Sequence, residues 1–140
     1  TLKQKWKVTV GEGHSSPVVA GGKIYLHSRQ GEREVVSCLR PENGQPIWQE
    51  GYNAPYTVNS AAVRHGKGVK STPAVEGGRI YTFGISGILS CLDASTGKTM
   101  WSSGTKITSF ARGGLSAGGG QVYLVTYDNH LYAFGIPLEH

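Results

Sequence analysis

A twelve-residue phrase occurs twice in this chain, and that repetition constrains the fold more than any composition does. The run from Ser37 to Trp48 and the run from Ser90 to Trp101 share Ser, Cys, Leu, Gly and Trp at the same offsets. The match continues upstream without a gap, where Ser16-Pro17-Val18-Val19-Ala20-Gly21-Gly22-Lys23-Ile24-Tyr25 aligns with Thr72-Pro73-Ala74-Val75-Glu76-Gly77-Gly78-Arg79-Ile80-Tyr81. A third copy runs from Gly119-Gly120-Gln121-Val122-Tyr123 to Leu131-Tyr132-Ala133-Phe134, and Ala133 follows its Tyr at the same distance as Cys91 follows Tyr81. Self-similarity at this period means small supersecondary units that bury their faces by stacking on one another.

Each unit reads as strands. Ile80-Tyr81-Thr82-Phe83 and Val122-Tyr123-Leu124-Val125-Thr126 are short β-branched and aromatic runs behind a Gly pair. Leu89 to Leu92 and Leu131 to Phe134 form the next strand, after Ser86-Gly87 in one copy and Asp128-Asn129 in the other. Those residues accept positive φ or imitate turn hydrogen bonds, so both places read as tight hairpins. Ser95-Thr96-Gly97-Lys98 is the following turn, and Thr99-Met100-Trp101 opens a fourth strand. The 21 glycines and the lack of a sustained helical period point the same way. The expected fold is all-β, built from four-stranded antiparallel meanders of the kind that form β-propeller blades.

The spacing of the copies gives the boundaries. Trp6-Lys7-Val8-Thr9-Val10 precedes Trp48 by 42 residues, the interval that also separates Tyr81 from Tyr123, so residues 6–10 are expected to be an outer strand. Blades follow at 15–50 and 71–103, with an incomplete blade at 113–135 that has no Trp-bearing strand after it. That is about three blades, a partial propeller over residues 1–137, with Leu138-Glu139-His140 as a tail or tag scar. Tyr25 and Tyr81 are 56 residues apart, and the surplus falls at a longer hairpin around Gln30 to Glu34 and in the segment Gln49 to Lys70. In the third copy Leu115 replaces Pro17 and Pro73, and Ser116-Ala117-Gly118-Gly119-Gly120 reads as mostly turn.

At these residues the chain resembles the pyrroloquinoline quinone (PQQ)-like propeller repeat, over roughly Trp6 to Phe134. The resemblance rests on the Ser/Thr-Pro opening, the Gly-Gly-x-Ile-Tyr strand start and the Cys-Leu-Asp-Ala-Ser-Thr-Gly-Lys-Thr-Met-Trp phrase. Asp93, Thr96, Gly97, Lys98 and Trp101 match the family's tryptophan-docking motif, whereas the first copy has Arg40, Asn43 and Pro46 in that stretch. The family pattern implies that Trp48 and Trp101 dock on glycine turns of neighbouring blades, with Gly44 and Gly97 in those turns and Asp93 and Thr96 holding the bend. An indole offers a flat apolar face, and glycine has no side chain to hold it away.

Composition narrows the function classes. The formal charge is +5 with only 16% charged residues, and the basic residues are not concentrated on an aromatic-rich face, so nucleic-acid binding is not expected. Arg64 to Lys70 is the one basic cluster, and its glycines make it a loop. The sequence holds no apolar run of membrane-spanning length. His14, His27, His65 and His130 show no ligand spacing and are expected at surface or rim positions, so no metal site is expected. Gly11-Glu12-Gly13-His14 and Gly118-Gly119-Gly120 lead into no helix, which removes the logic of a phosphate loop. Asp93 sits in a turn, where accepting backbone N–H bonds is its expected task. No catalytic residue is assigned.

Two functional readings remain. The first is a non-catalytic scaffold, similar to the extracytoplasmic repeat proteins that include the BamB-like outer-membrane assembly factors. It would bind protein partners, further propeller blades or a second copy of the chain. Its candidate surface is the long insertion carrying Tyr52, Tyr56, Arg64, His65, Lys67 and Lys70, and the resemblance favours a periplasmic or extracellular location. No cofactor is needed under this reading. The alternative is a fragment of a quinoprotein dehydrogenase holding PQQ and calcium, although that class's vicinal cysteine pair is absent from the sequence.

Cys38 and Cys91 fall at equivalent positions of successive units, and the third copy has Ala133 there. Equivalent points on stacked sheets lie about 10 Å apart, farther than the Cα separation a disulfide tolerates. The site calls for something small and apolar. Thiol titration after denaturation without reductant is expected to find both cysteines free; a count of zero in a monomeric protein would establish a bridge instead.

Overall fold

The computed structural model describes residues 2–13, 15–54, 71–84, 87–103, 115–125 and 129–135. Among them the chain forms eleven strands and no helix. The first sheet is β1 (Val18–Ala20), β2 (Lys23–Gln30), β3 (Arg33–Leu39) and β4 (Pro46–Asn53), paired in that order. The second is β5 (Ala74–Glu76), β6 (Arg79–Phe83), β7 (Leu89–Asp93) and β8 (Thr99–Ser102), and the third is β9 (Ser116–Gly118), β10 (Gln121–Val125) and β11 (Leu131–Gly135). Every pairing is antiparallel between consecutive strands, so each sheet is a meander, a blade in the propeller sense. The short strands β1, β5 and β9 neighbour one another from sheet to sheet, and the blades fan outward from them.

The glycine pairs set the register. Gly21-Gly22, Gly77-Gly78 and Gly119-Gly120 each have positive φ at both residues, the requirement of a two-residue hairpin turn whose twist matches its strands. From there the alternation of side chains gives every blade two distinct faces. One carries a cross-strand row, Tyr25–Cys38–Trp48 in the first blade and Tyr81–Cys91–Trp101 in the second. The other carries apolar pairs, Ile80 opposite Leu92 and Val122 opposite Phe134.

Packing follows from those two faces. Tyr25, Val36 and Cys38 of blade 1 bury against Ile80 and Leu92 of blade 2, and Tyr81, Phe83, Leu89 and Cys91 of blade 2 bury against Val122 and Leu124 of blade 3. The core therefore lies between sheets and not within one. Neither cysteine is in a disulfide, and both are fully buried. Each lies between a Tyr and a Trp whose ring centroids are 6.3 Å apart in blade 1 and 6.4 Å apart in blade 2, which explains the small residue. Burial pushes the Cys38 thiol up from its ordinary value.

Three expectations need adjustment. Trp6 to Val10 is no strand of a sheet here: no described strand runs beside it to supply a ladder, and it is held by side chains and by its downstream end. There Val10 O accepts from Ser28 Oγ at 2.7 Å, and Glu12 and Arg29 exchange both backbone hydrogen bonds at 2.9 Å. Ser116 to Gly118, read as turn from its composition, is strand β9, because β10 offers it three paired positions and its neighbours in sequence supply the hairpin. The longer first hairpin consists of longer strands around a short turn, since Gln30 pairs directly with Arg33.

Candidate functional site

Docking between blades is built at the turn before each outer strand. In blade 2 the turn is closed by two backbone bonds of 2.8 Å, Gly97 N–H to Asp93 O and Asp93 N–H to Lys98 O. The Asp93 carboxylate accepts from Ser95 N–H at 2.8 Å, Ser95 Oγ–H at 2.7 Å and Thr96 N–H at 3.1 Å. The Ser95 hydroxyl above all, then the two amides, holds the Asp93 carboxyl below the usual carboxylate range. Thr96 Oγ1 in turn accepts from Lys98 N–H. The turn brings Gly97 under the Trp48 indole so closely that a Cβ there would sit 2.7 Å from Cδ2 of the ring. Trp48 Nε1–H donates to Ala94 O at 3.1 Å.

The same contact recurs one blade earlier. Gly44 lies under Trp6, where an added Cβ would come within 2.7 Å of the indole, and Trp6 Nε1–H donates to Pro41 O at 2.8 Å. The first turn departs from the motif in sequence yet closes alike: Gly44 N–H donates to Arg40 O, and Asn43 Oδ1 accepts from Gln45 N–H as Thr96 accepts from Lys98. Trp101 packs against the core between blades 2 and 3, and its buried Nε1 has no acceptor among the described residues. Beside the docking turn a groove of about 480 Å³ opens between blades 1 and 2, with Lys23, Arg79 and Asp93 at its walls and Met100 at its rim.

A second group was not legible as a site. His27, Arg29, Glu34 and Tyr52 project from the face of blade 1 that carries Tyr25, in rows set by the register Arg29–Glu34–Tyr52. His27, Arg29 and Glu34 are at most 1% exposed. His27 was expected at the rim and lies instead in the seam against blade 2, because β2 runs on past Tyr25 and alternation turns residues 27 and 29 inward. Its Nε2 is 3.5 Å from Glu34 Oε2, and burial lowers its pKa to about 3. Arg29 Nη2–H donates to Ala54 O at 2.6 Å and reaches Glu32 at 3.3 Å. Burial, then the Glu34 carboxylate, raises the Tyr52 hydroxyl above its ordinary range. The available signal was the offset from Tyr25: His27 aligns with Phe83, a polar residue at a core position.

Of the expected partner-binding residues, Tyr52 is therefore a seam residue whose hydroxyl is buried. Tyr56, Arg64, His65, Lys67 and Lys70 lie outside the described residues. Among the described residues no three His, Cys, Asp or Glu side chains come together in a way that could hold a metal ion, and no helix is long and apolar enough to cross a membrane.

Comparison with known proteins places this geometry. Residues 32–136 match the family model described as outer membrane protein assembly factor BamB. The chain is 32% identical over 121 residues to the BamB of Moranella endobia, covering 86% of this chain and 29% of that protein. It is 27% identical over 124 residues to the BamB of Escherichia coli K12, covering 89% and 29%. The chain thus spans less than a third of the length of these relatives. Among solved structures, BamB from Moraxella catarrhalis matches with a TM-score of 0.62 at 21% identity, over 87% of this chain and 32% of that one. A quinohemoprotein alcohol dehydrogenase from Pseudomonas putida HK5 matches with a TM-score of 0.65 at 24% identity, over 94% and 20%. At these identities the structural likeness shows the fold.

His27 gives a direct check of the seam. Its folded pKa lies below the unfolded value of about 6.5, so the unfolded chain takes up the proton first. Stability is then expected to fall as pH drops from about 6.5 towards 3, and His27→Phe is expected to remove that part of the dependence. In an NMR titration of the imidazoles, the His27 ring is expected to stay unshifted between about pH 5 and 8; a midpoint near 6.5 would show it open to solvent.

Proposed function

The chain belongs to the PQQ-like repeat family of outer membrane protein assembly factor BamB, and from that premise we propose that it is a non-catalytic scaffold of propeller blades that binds protein partners through its loops and sheet edges. The observation that carries this reading is the family match over residues 32–136, which includes the Trp48–Gly97 docking contact. The relatives are named for outer membrane protein assembly, and a periplasmic location follows on this reading.

Further blades are part of the proposal. Trp6 occupies on blade 1 the position that Trp48 occupies on blade 2, so residues 6–10 stand where the outer strand of a preceding blade would stand. At the other end, Tyr123, Val125 and Leu131 leave an exposed apolar row on the face of β10 and β11 that corresponds to the buried Tyr81–Cys91 face. An open blade face of this kind favours another sheet as its cover. On this reading blades 15–50, 71–103 and 113–135 are part of a larger ring, completed by further repeats or a second copy. The insertion with Tyr56, Arg64, His65, Lys67 and Lys70 is the proposed partner-binding loop.

The quinoprotein alternative draws on the likeness to a quinohemoprotein alcohol dehydrogenase, which supports the fold alone. Among the described residues no three His, Cys, Asp or Glu side chains gather where a metal ion could be held. Expressing the protein that carries this chain in Escherichia coli lacking its BamB tests the scaffold reading. Recovery of outer-membrane β-barrel protein levels is expected. Folded protein that gives no recovery, and that oxidises an alcohol only when PQQ and calcium are added, would favour the dehydrogenase.

A further inference from the structure

The seam between blades 1 and 2 differs in kind from the seam between blades 2 and 3, although both are built from the same repeat. Both begin with the same row, Tyr25–Cys38–Trp48 or Tyr81–Cys91–Trp101. The next row in blade 2 is apolar, Phe83 opposite Leu89, and it buries against Leu124 of blade 3. Blade 1 has His27 opposite Val36 in that row and then adds a third, Arg29–Glu34–Tyr52. The blade 2 face that meets these rows carries Ile80, Thr82 and Gly84, where blade 3 has Val122, Leu124 and, by repeat count, Thr126. Thr82 is fully buried. Gly84 makes room for the charged row: a Cβ there would be 2.6 Å from Glu34 Oε1 and 2.6 Å from the Tyr52 hydroxyl. In the first seam a face with a gap at Gly84 thus meets a face with a protruding charged row, and in the second an apolar face meets an apolar one.

Buried charges of this kind are weak contributors to stability, and their best-attested use is to fix which surfaces pair. Repeat proteins need such a device. Every blade offers the same Trp-on-Gly contact, and misassembly or swapping between copies is the characteristic failure of repeated units. We propose that the His27–Arg29–Glu34–Tyr52 face of blade 1 and the Thr82–Gly84 face of blade 2 form an indexing contact that makes these two blades dock on each other and on no other blade of the chain. Blade 1 set against the face of blade 3 would place Glu34 and Arg29 beside Leu124, where blade 2 has Thr82. In that arrangement Glu34 would lose the space that Gly84 leaves for it.

The test exchanges the two faces in the intact protein. One variant gives blade 2 the residues of blade 3, Thr82→Leu with Gly84→Thr. A second gives blade 1 the residues that blade 2 has at equivalent positions, His27→Phe with Glu34→Gly. The third combines all four changes. Each face changed alone is expected to lower the urea midpoint. The combined variant is expected to recover, with a coupling of about tenfold in the unfolding equilibrium constant. After dilution from urea at micromolar concentration it is expected to refold into several species by size-exclusion chromatography, where the unchanged protein gives one. Additive losses would show that the two faces do not read each other and would overturn the proposal. Coupled losses with a single refolded species would overturn it as well, because pairing would then be set without the seam. If one of the single-face variants fails to fold, recovery in the combined variant still decides between coupling and additivity.

Discussion

An indole laid on a glycine is the contact on which the rest of this structure depends. The geometry has no tolerance for a side chain, since Gly44 and Gly97 would each drive a Cβ into the ring above them. That requirement fixes the turn, because both glycines have positive φ, at 72° and 80°, where an L-residue is disfavoured. The turn in turn fixes the carbonyl that accepts the indole N–H, Pro41 O in one blade and Ala94 O in the next. One local arrangement thus supplies an apolar plate, a hydrogen bond and the angle at which the outer strand leaves.

The consequences run inward across the sheet. With the Trp fixed on the outer strand, the Tyr two strands away tilts toward it, and only a small residue fits between them. Cys38 and Cys91 fill that place as buried hydrophobes, and neither is positioned for chemistry. A blade buries little within itself, because each sheet is one layer thick. Its stability comes from the neighbour, as expected for units that behave as a one-dimensional stack. This is why an exposed row such as Tyr123, Val125 and Leu131 matters to the functional reading: it is the same kind of face that the other blades cover.

Much of this was written in the repeat. The offsets of Tyr, Cys, Gly and Trp placed the strands and turns, and the substitution of Ala133 for Cys91 already said that the position is steric. Where composition was used in place of register, the reading slipped. Ser116-Ala117-Gly118 looks like turn, yet a partner strand supplies what its propensities lack, since β pairing depends on context more than on intrinsic preference. His27 looked like a rim residue because it was counted from the strand end, whereas counting in twos from Tyr25 puts it inside. The row Arg29–Glu34–Tyr52 could not be seen at all from the repeat, since no other copy has it. Gly84 gave no sign of its importance, because what it accommodates comes from another blade.

The Trp and the Gly of neighbouring blades act as one contact. A double-mutant cycle on Trp48 and Gly97 tests it most directly. Trp48→Ala alone is expected to cost about 2–4 kcal/mol, given a large aromatic that is only partly buried. Gly97→Ala alone is expected to cost more than the roughly 1 kcal/mol of placing Ala at positive φ, because its methyl group meets the ring. With Trp48 already Ala, the same glycine change is expected to fall back to that backbone cost, leaving a coupling of about 1–3 kcal/mol. Costs that simply add would mean that the blades are held together by something other than the indole on the glycine.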